Sequence, residues 1–134
     1  MNIHEEKTVS VFIAKEKRHR FHYFMDNPNI RTRELGCLNH IVPLEPDRIT
    51  WLSRKEDAHA LLSREGSPES VYIISCDSGI DKKTLPLAEA LEMVVRSGWG
   101  TIISCIPGKL AYYYGESGER RALLSIKGVL KGKY

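Results

Sequence analysis

Three thiols and two imidazoles are the side chains here suited to covalent chemistry. They are Cys37, Cys76 and Cys105, with His40 and His59 as candidate bases. A thiolate is the reactive form of cysteine, so a nucleophile needs a base or a positive field beside it. Neither histidine stands in a local signature with a cysteine, and any such pair has to be assembled by the fold. The plainer reading is that Cys76 and Cys105 end two apolar runs, Val71-Tyr72-Ile73-Ile74-Ser75-Cys76 and Thr101-Ile102-Ile103-Ser104-Cys105. Free cysteine at such a place is a small buried hydrophobe. The same residues admit a metal reading. Cys37-Leu38-Asn39-His40 has a Cys-x-x-His spacing that can put two ligands on one zinc, with Cys76 and Cys105 completing a tetrahedron. A structural zinc site normally shows two tight ligand pairs, and the second pair here is widely split. No cofactor is expected.

Other chemistries are poorly served. Gly98-Trp99-Gly100 follows a predicted helix and precedes a strand, the reverse of a dinucleotide-binding turn. There is no Gly-x-Ser-x-Gly elbow. Glu89 and Glu92 are neighbours on a helix surface, where nothing separates their acid strengths. Trp99 is expected to plug the core.

A binding surface is the stronger possibility. Lys15, Lys17, Arg18, Arg20, Arg31 and Arg33 face only Glu16 and Asp26 over one stretch, and a second basic cluster runs from Arg120 to the end without an acid. Read as a strand, residues 18–25 put Arg18, Arg20, His22 and Phe24 on one face, basic groups beside an aromatic that can stack on a base. The candidate binding set is therefore Arg18, Arg20, His22, Phe24, Arg31 and Arg33. The competing explanation is an edge strand protected from aggregation by its charges.

The elements that must position these residues follow from local patterns. Val9, Val11 and Ile13 alternate with Thr8 and Ser10, and residues 18–25 alternate again after Lys15-Glu16-Lys17. This predicts a β-hairpin closed by Asp26-Asn27-Pro28-Asn29. Short strands are expected over 30–35, 38–44 and 48–52. Ser53-Arg54-Lys55-Glu56 has the capping-box pattern and predicts a helix from Ser53 to a Gly66 cap. A strand over 71–76 and a helix from Pro86 to Arg96 ending at Gly98 come next. Strands over 101–105, 109–114 and 121–126 complete the chain, with a turn at Pro107-Gly108. Residues 1–7 and 128–134 are expected to fray.

That order, β-β-(β)-β-α-β-α-β-β-β, predicts a single compact α+β domain over 1–134, with a mixed, mostly antiparallel sheet and two helices. Strands 71–76 and 101–105 can run either way. If parallel, they bring Cys76 and Cys105 to one end of the sheet, and if antiparallel, to opposite ends.

Composition bounds the function class. The chain has 134 residues, 42% apolar and 28% charged, with a net charge of +3. This excludes disordered and collagen-like classes and does not demand a polyanionic partner. No apolar run reaches the 18–20 residues needed to span a bilayer, so no membrane partner is expected. An odd cysteine count, and a start without an apolar leader, point to a reducing, cytoplasmic setting. The function expected is a non-enzymatic cytoplasmic binding or regulatory module that contacts a protein or a nucleic acid through its basic hairpin. The alternatives are a small thiol enzyme using Cys76 or Cys105 with a histidine base, and a zinc-stabilised domain.

Overall fold

Residues 8–25 decide the architecture, and they are helical rather than a hairpin. The computed structural model describes residues 1–40 and 43–126. Helix α1 (Ile3–Lys7) runs into a π-helical turn (Thr8–Phe12), and α2 spans Lys15–Met25. Val9, Phe12 and Ile13 are spaced i, i+3, i+4, as are Phe21, Phe24 and Met25, and all six are buried. Both segments thus carry two periodicities at once. The helical one wins because it gathers the largest apolar side chains on one side, whereas the strand would have left Phe24 beside Arg18 and Arg20 in water. Asn2 caps α1 by accepting the Glu5 N–H at 2.9 Å. Residues 3–7, expected to fray, are therefore helical, and the Met1 ammonium lies 2.7 Å from Asp26 Oδ1.

Two more short helices, α3 (Arg31–Glu34) and α4 (Cys37–His40), replace the strands expected over 30–35 and 38–44. Positions 41–42 and the basic tail over 127–134 lie outside the described residues.

The remaining strands form one sheet of β1 (Ile49–Trp51), β2 (Ser70–Ser75), β3 (Thr84–Pro86), β4 (Thr101–Ile106), β5 (Leu110–Tyr114) and β6 (Arg121–Ser125). The order across it is β1-β6-β5-β4-β2-β3. Every neighbouring pair is antiparallel, so the sheet is not mixed. β3 was not foreseen. It is an edge strand ending in Pro86, which has no N–H to give to a ladder, and it pairs Ser70 with Pro86.

Helices cover both faces of the sheet, as the unbroken apolar runs of β2 and β4 require. Tyr72, Ile74, Ile102, Ala111, Tyr113, Ala122 and Leu124 pack under the N-terminal helices. The alternate residues, among them Val71, Ile73, Ile103, Tyr112 and Leu123, pack under α5 (Ala58–Arg64) and α6 (Leu87–Ser97). The result is one α+β domain of three layers.

Helix α5 starts later than the capping box implied. Glu56 Oε1 does accept the Ser53 N–H at 3.1 Å, but only a turn forms there. Asp57 then caps the helix through the N–H groups of His59 and Ala60. Its end is a Schellman motif. Ser67 N–H donates to Leu62 O at 2.9 Å and Gly66 N–H to Ser63 O at 3.1 Å, with Gly66 at φ +97°. In α6 the buried stripe is Leu87, Ala90 and Val94, while Val95 is 62% exposed.

Candidate functional site

The antiparallel register of β2 and β4 separates the two strand cysteines. Tyr72 pairs with Ser104 and Ser75 with Thr101, so Cys76 and Cys105 lie at opposite ends of the pair. They also face opposite layers, with Cys76 against the N-terminal helices and Cys105 buried under α5 and α6. Cys76 Sγ is 3.5 Å from Asn39 Oδ1 and 3.7 Å from Gly100 O, both acceptors and neither a base. His40 Nδ1 lies 3.4 Å from Glu116 Oε1, and His59 is exposed on α5. Among the described residues no hydrogen bond joins a histidine to a cysteine.

Electrostatics argue the same way. Burial pushes the Cys105 and Cys37 thiols up to about 11 and raises that of Cys76 as well. These sulfurs are therefore protonated at neutral pH. At pH 7, Cys37 and Cys105 will react with iodoacetamide at least about tenfold more slowly than free cysteine, and Cys76 will also be slower. A thiol that labels faster than free cysteine would restore the nucleophile.

The zinc quartet is not assembled either. Cys37 packs toward Phe21 and Phe24 while His40 turns outward to Glu116. Among the described residues no three His, Cys, Asp or Glu side chains could hold a metal ion.

Sequence reasoning missed two polar contacts under the N-terminal helices. His4 Nδ1 lies 2.7 Å from Ser104 Oγ, and its ring stacks on Tyr72 with centroids 5.3 Å apart. Ser104 is fully buried, so this serine–histidine contact meets no substrate, and burial lowers the His4 pKa. The second contact centres on Arg31. The structure withdraws this residue from the candidate binding set, because it is 3% exposed. Its Nε and Nη2 donate to the two oxygens of Asp81 at 2.8 and 3.0 Å. Nη2 also donates to Glu5 Oε2 at 2.8 Å, and Nη1 to Met25 O at 2.9 Å. Tyr72 OH gives a further bond to Glu5 Oε2 at 2.6 Å, and Ser75 N–H one to Asp81 Oδ1 at 2.9 Å. Burial opposes the Arg31 charge, but the bonds to Asp81 and Glu5 outweigh it and hold the guanidinium above its ordinary value. Only the fold unites Glu5, Arg31 and Asp81, and no local spacing announced them.

Phe24 also leaves the set. It is 1% exposed and tilted against Phe21, so it cannot stack on a base. The rest of α2 still makes a basic surface, reordered by helical geometry. Lys15, Arg18, His19, His22 and Tyr23 fall at i, i+3, i+4, i+7 and i+8 along the side facing water. Tyr23 is 67% exposed. Arg18 leans on the preceding turn, its Nε 2.9 Å from Ile13 O. Arg20 is exposed and paired with Glu34, and Arg33 Nε sits 3.4 Å from the same carboxylate.

Comparison with protein-family models, curated proteins and solved structures finds no match.

Two concavities border the site. An open cleft of 350 Å³ lies between Thr32, Asn39, Cys76, Asp77, Ser78 and Trp99. Trp99 does not plug the core and is 47% exposed here. Asp77 is already committed, accepting from Gly79 N–H at 2.9 Å and Ser97 OH at 2.7 Å. With no base free, the cleft has no evident chemistry. The second concavity, of 220 Å³, opens beside α2, with Phe21, Phe24, Cys37 and Pro43 as its walls and Lys17 and the Arg20–Glu34 pair at its edge.

The second basic cluster does not extend this surface within the described residues. Arg120 sits over the Trp51 ring, 4.3 Å from its centroid, and Arg121 donates to Ser53 O and Glu56 O. No helix among the described residues is long and apolar enough to cross a membrane.

Proposed function

We propose that this protein is a non-enzymatic binding module of the cytoplasm that grips an anionic macromolecule through the water-facing side of α2. The observation that carries the reading is the stripe Lys15, Arg18, His19, His22 and Tyr23 on a helix whose other side is fixed in the core by Phe21, Phe24 and Met25. A rigid helix presents its cations at fixed spacing, and that favours a charged partner both in encounter rate and in register. Tyr23 adds an amphipathic aromatic of the kind enriched at interfaces. The raised thiol pKa values and the dispersed histidines favour binding over thiol catalysis.

Heparin tests the charge requirement without presupposing protein or nucleic acid. Lys15→Glu with His19→Glu reverses the stripe at two exposed positions. Lys15 opens the helix, where an acid suits the macrodipole, so the fold should hold. Heparin affinity in low salt should fall at least about tenfold, with a shallower salt dependence. An affinity unchanged by the double substitution would sink the proposal.

A further inference from the structure

The cleft beside Trp99 has no base for catalysis, but it has the parts of a binding site. Its aromatic wall is the Trp99 indole, 47% exposed. Backbone bonds pin the chain on both sides of that ring. Gly98 N–H donates to Val94 O at 3.0 Å, and Gly98 O accepts from Ser117 N–H at 2.7 Å. Trp99 O accepts from the Thr101 hydroxyl at 2.9 Å, and Gly100 N–H donates to Asn39 Oδ1. The platform is in place before a ligand arrives, which lowers the ordering cost of binding. The rest of the lining is polar and of mixed character. Among the described residues both side-chain hydrogen bonds of Asn39 fall on Oδ1, from Gly100 N–H and the Cys76 thiol, so Nδ2 keeps two N–H donors. Thr32 and Ser78 add exposed hydroxyls, each a donor and an acceptor. Asp77 accepts one bond on each oxygen, from Gly79 N–H and Ser97 OH, and each oxygen has a second lone pair.

The geometry points to a binding site for a neutral polyhydroxylated ligand, a sugar ring that lays its C–H face on Trp99 and turns its hydroxyls to Asn39, Asp77 and Ser78. Every sugar hydroxyl both gives and accepts a hydrogen bond. It therefore matches a wall on which an amide gives, a carboxylate accepts and hydroxyls do either. An anion is disfavoured, because Asp77 repels it and none of the lining residues is a lysine or arginine. A quaternary ammonium is held by a cage of aromatic faces, and Trp99 is the single aromatic in this lining. The volume of 350 Å³ lies near the lower end of ligand pockets, which begin at about 300 Å³, and suits one ring rather than an extended chain. No residue of α2 lines the cleft, so this site stands or falls apart from the α2 surface.

The test reads Trp99 fluorescence in the full chain carrying Trp51→Phe, which leaves Trp99 as its one indole. Trp51 lies against Tyr113 and Arg120 and is not part of the cleft. The probes are the methyl glycosides of glucose, galactose and mannose, with choline as the cation and inorganic phosphate as the anion. At least one glycoside should shift the emission saturably at millimolar concentration, and choline and phosphate should not. Asn39→Asp keeps an oxygen for Gly100 N–H and removes both Nδ2 donors, so affinity for that glycoside should fall at least about tenfold. Cys76 should still label slowly in this variant, which shows that α4 keeps its seat. Ser78→Ala changes an exposed position and should weaken the glycoside about threefold, a readout that stands even if Asn39→Asp folds poorly. Emission unmoved by all three glycosides would overturn the site, and so would a glycoside bound equally well by Asn39→Asp and by Ser78→Ala. Choline binding that strengthens in Asn39→Asp would overturn it in favour of a cation site, and saturable phosphate binding in favour of an anion site.

Discussion

Replacing Arg31 by methionine will destabilise the protein by about 3–5 kcal/mol, the cost of stranding buried carboxylates without their cation. The side chains of Glu5 and Asp81 are 4% and 9% exposed, and the guanidinium lies between them. Without it, two acids from different layers face each other away from water. The damage will spread beyond one contact, because Arg31 also holds Met25 O and so ties α1, the end of α2 and the loop after β2 together. The sign of the pH dependence identifies the cause. Protonating the stranded carboxylates removes the uncompensated buried charge, so the loss will be full at neutral pH and smaller in acid. Arg31→Lys will recover only part of the loss, since an ammonium cannot span the planar fork from Asp81 to Glu5 and Met25 O. Adding Glu5→Gln and Asp81→Asn to Arg31→Met should restore much of it. Denaturant titrations at neutral and mildly acidic pH measure all of this. A loss below about 1 kcal/mol, or one independent of pH, would mean the network is incidental to the fold.

The same residue shows where sequence reading stops. Arg31 looks like a surface cation by composition alone, and its partners lie 26 and 50 positions away. Strands β2, β4, β5 and β6 were legible because their β-branched and aromatic runs are bounded by turn residues, and α6 because its apolar positions repeat at helical spacing between Pro86 and Gly98. The N-terminal third was not, because two periods coexist in it. Val9, Val11 and Ile13 satisfy a strand, Val9, Phe12 and Ile13 a helix, and the largest side chain settled the choice. The basic surface survived that error in part. Arg18 and His22 remain on one side under either period, whereas Phe24, which alone made the surface a stacking platform, moves inward. The cysteines followed a single undetermined fact. Once β2 and β4 are antiparallel, no fold-level argument brings Cys76 to Cys105.

The second large effect will come from the smallest side chain. Gly100→Ala will cost about 1–3 kcal/mol or more, although alanine is allowed by the backbone angles there. A Cβ at Gly100 would stand 2.5 Å from Leu38 O and 2.7 Å from Asn39 N, and it would also meet Leu38 C. These are backbone atoms of α4, so no rotamer change relieves the overlap. Helix α4 has to move, and it is held there on both sides. Tyr113 OH donates to Leu38 O at 2.6 Å, and Gly100 N–H donates to Asn39 Oδ1. Gly98→Ala is the control. Its Cβ meets nothing within 4 Å, but φ is +74°, so strain alone costs about 1–2 kcal/mol. Gly100→Ala should therefore differ from it in kind as well as size. Displacing Asn39 removes the acceptor 3.5 Å from Cys76 Sγ, so Cys76 should label faster in Gly100→Ala and not in Gly98→Ala. Gly100→Ala and Tyr113→Phe should also be non-additive, since both act on the seat of Leu38. If Gly100→Ala proves as mild as a surface change and leaves Cys76 slow, the close backbone contact between α4 and the start of β4 is not what holds the N-terminal layer against the sheet.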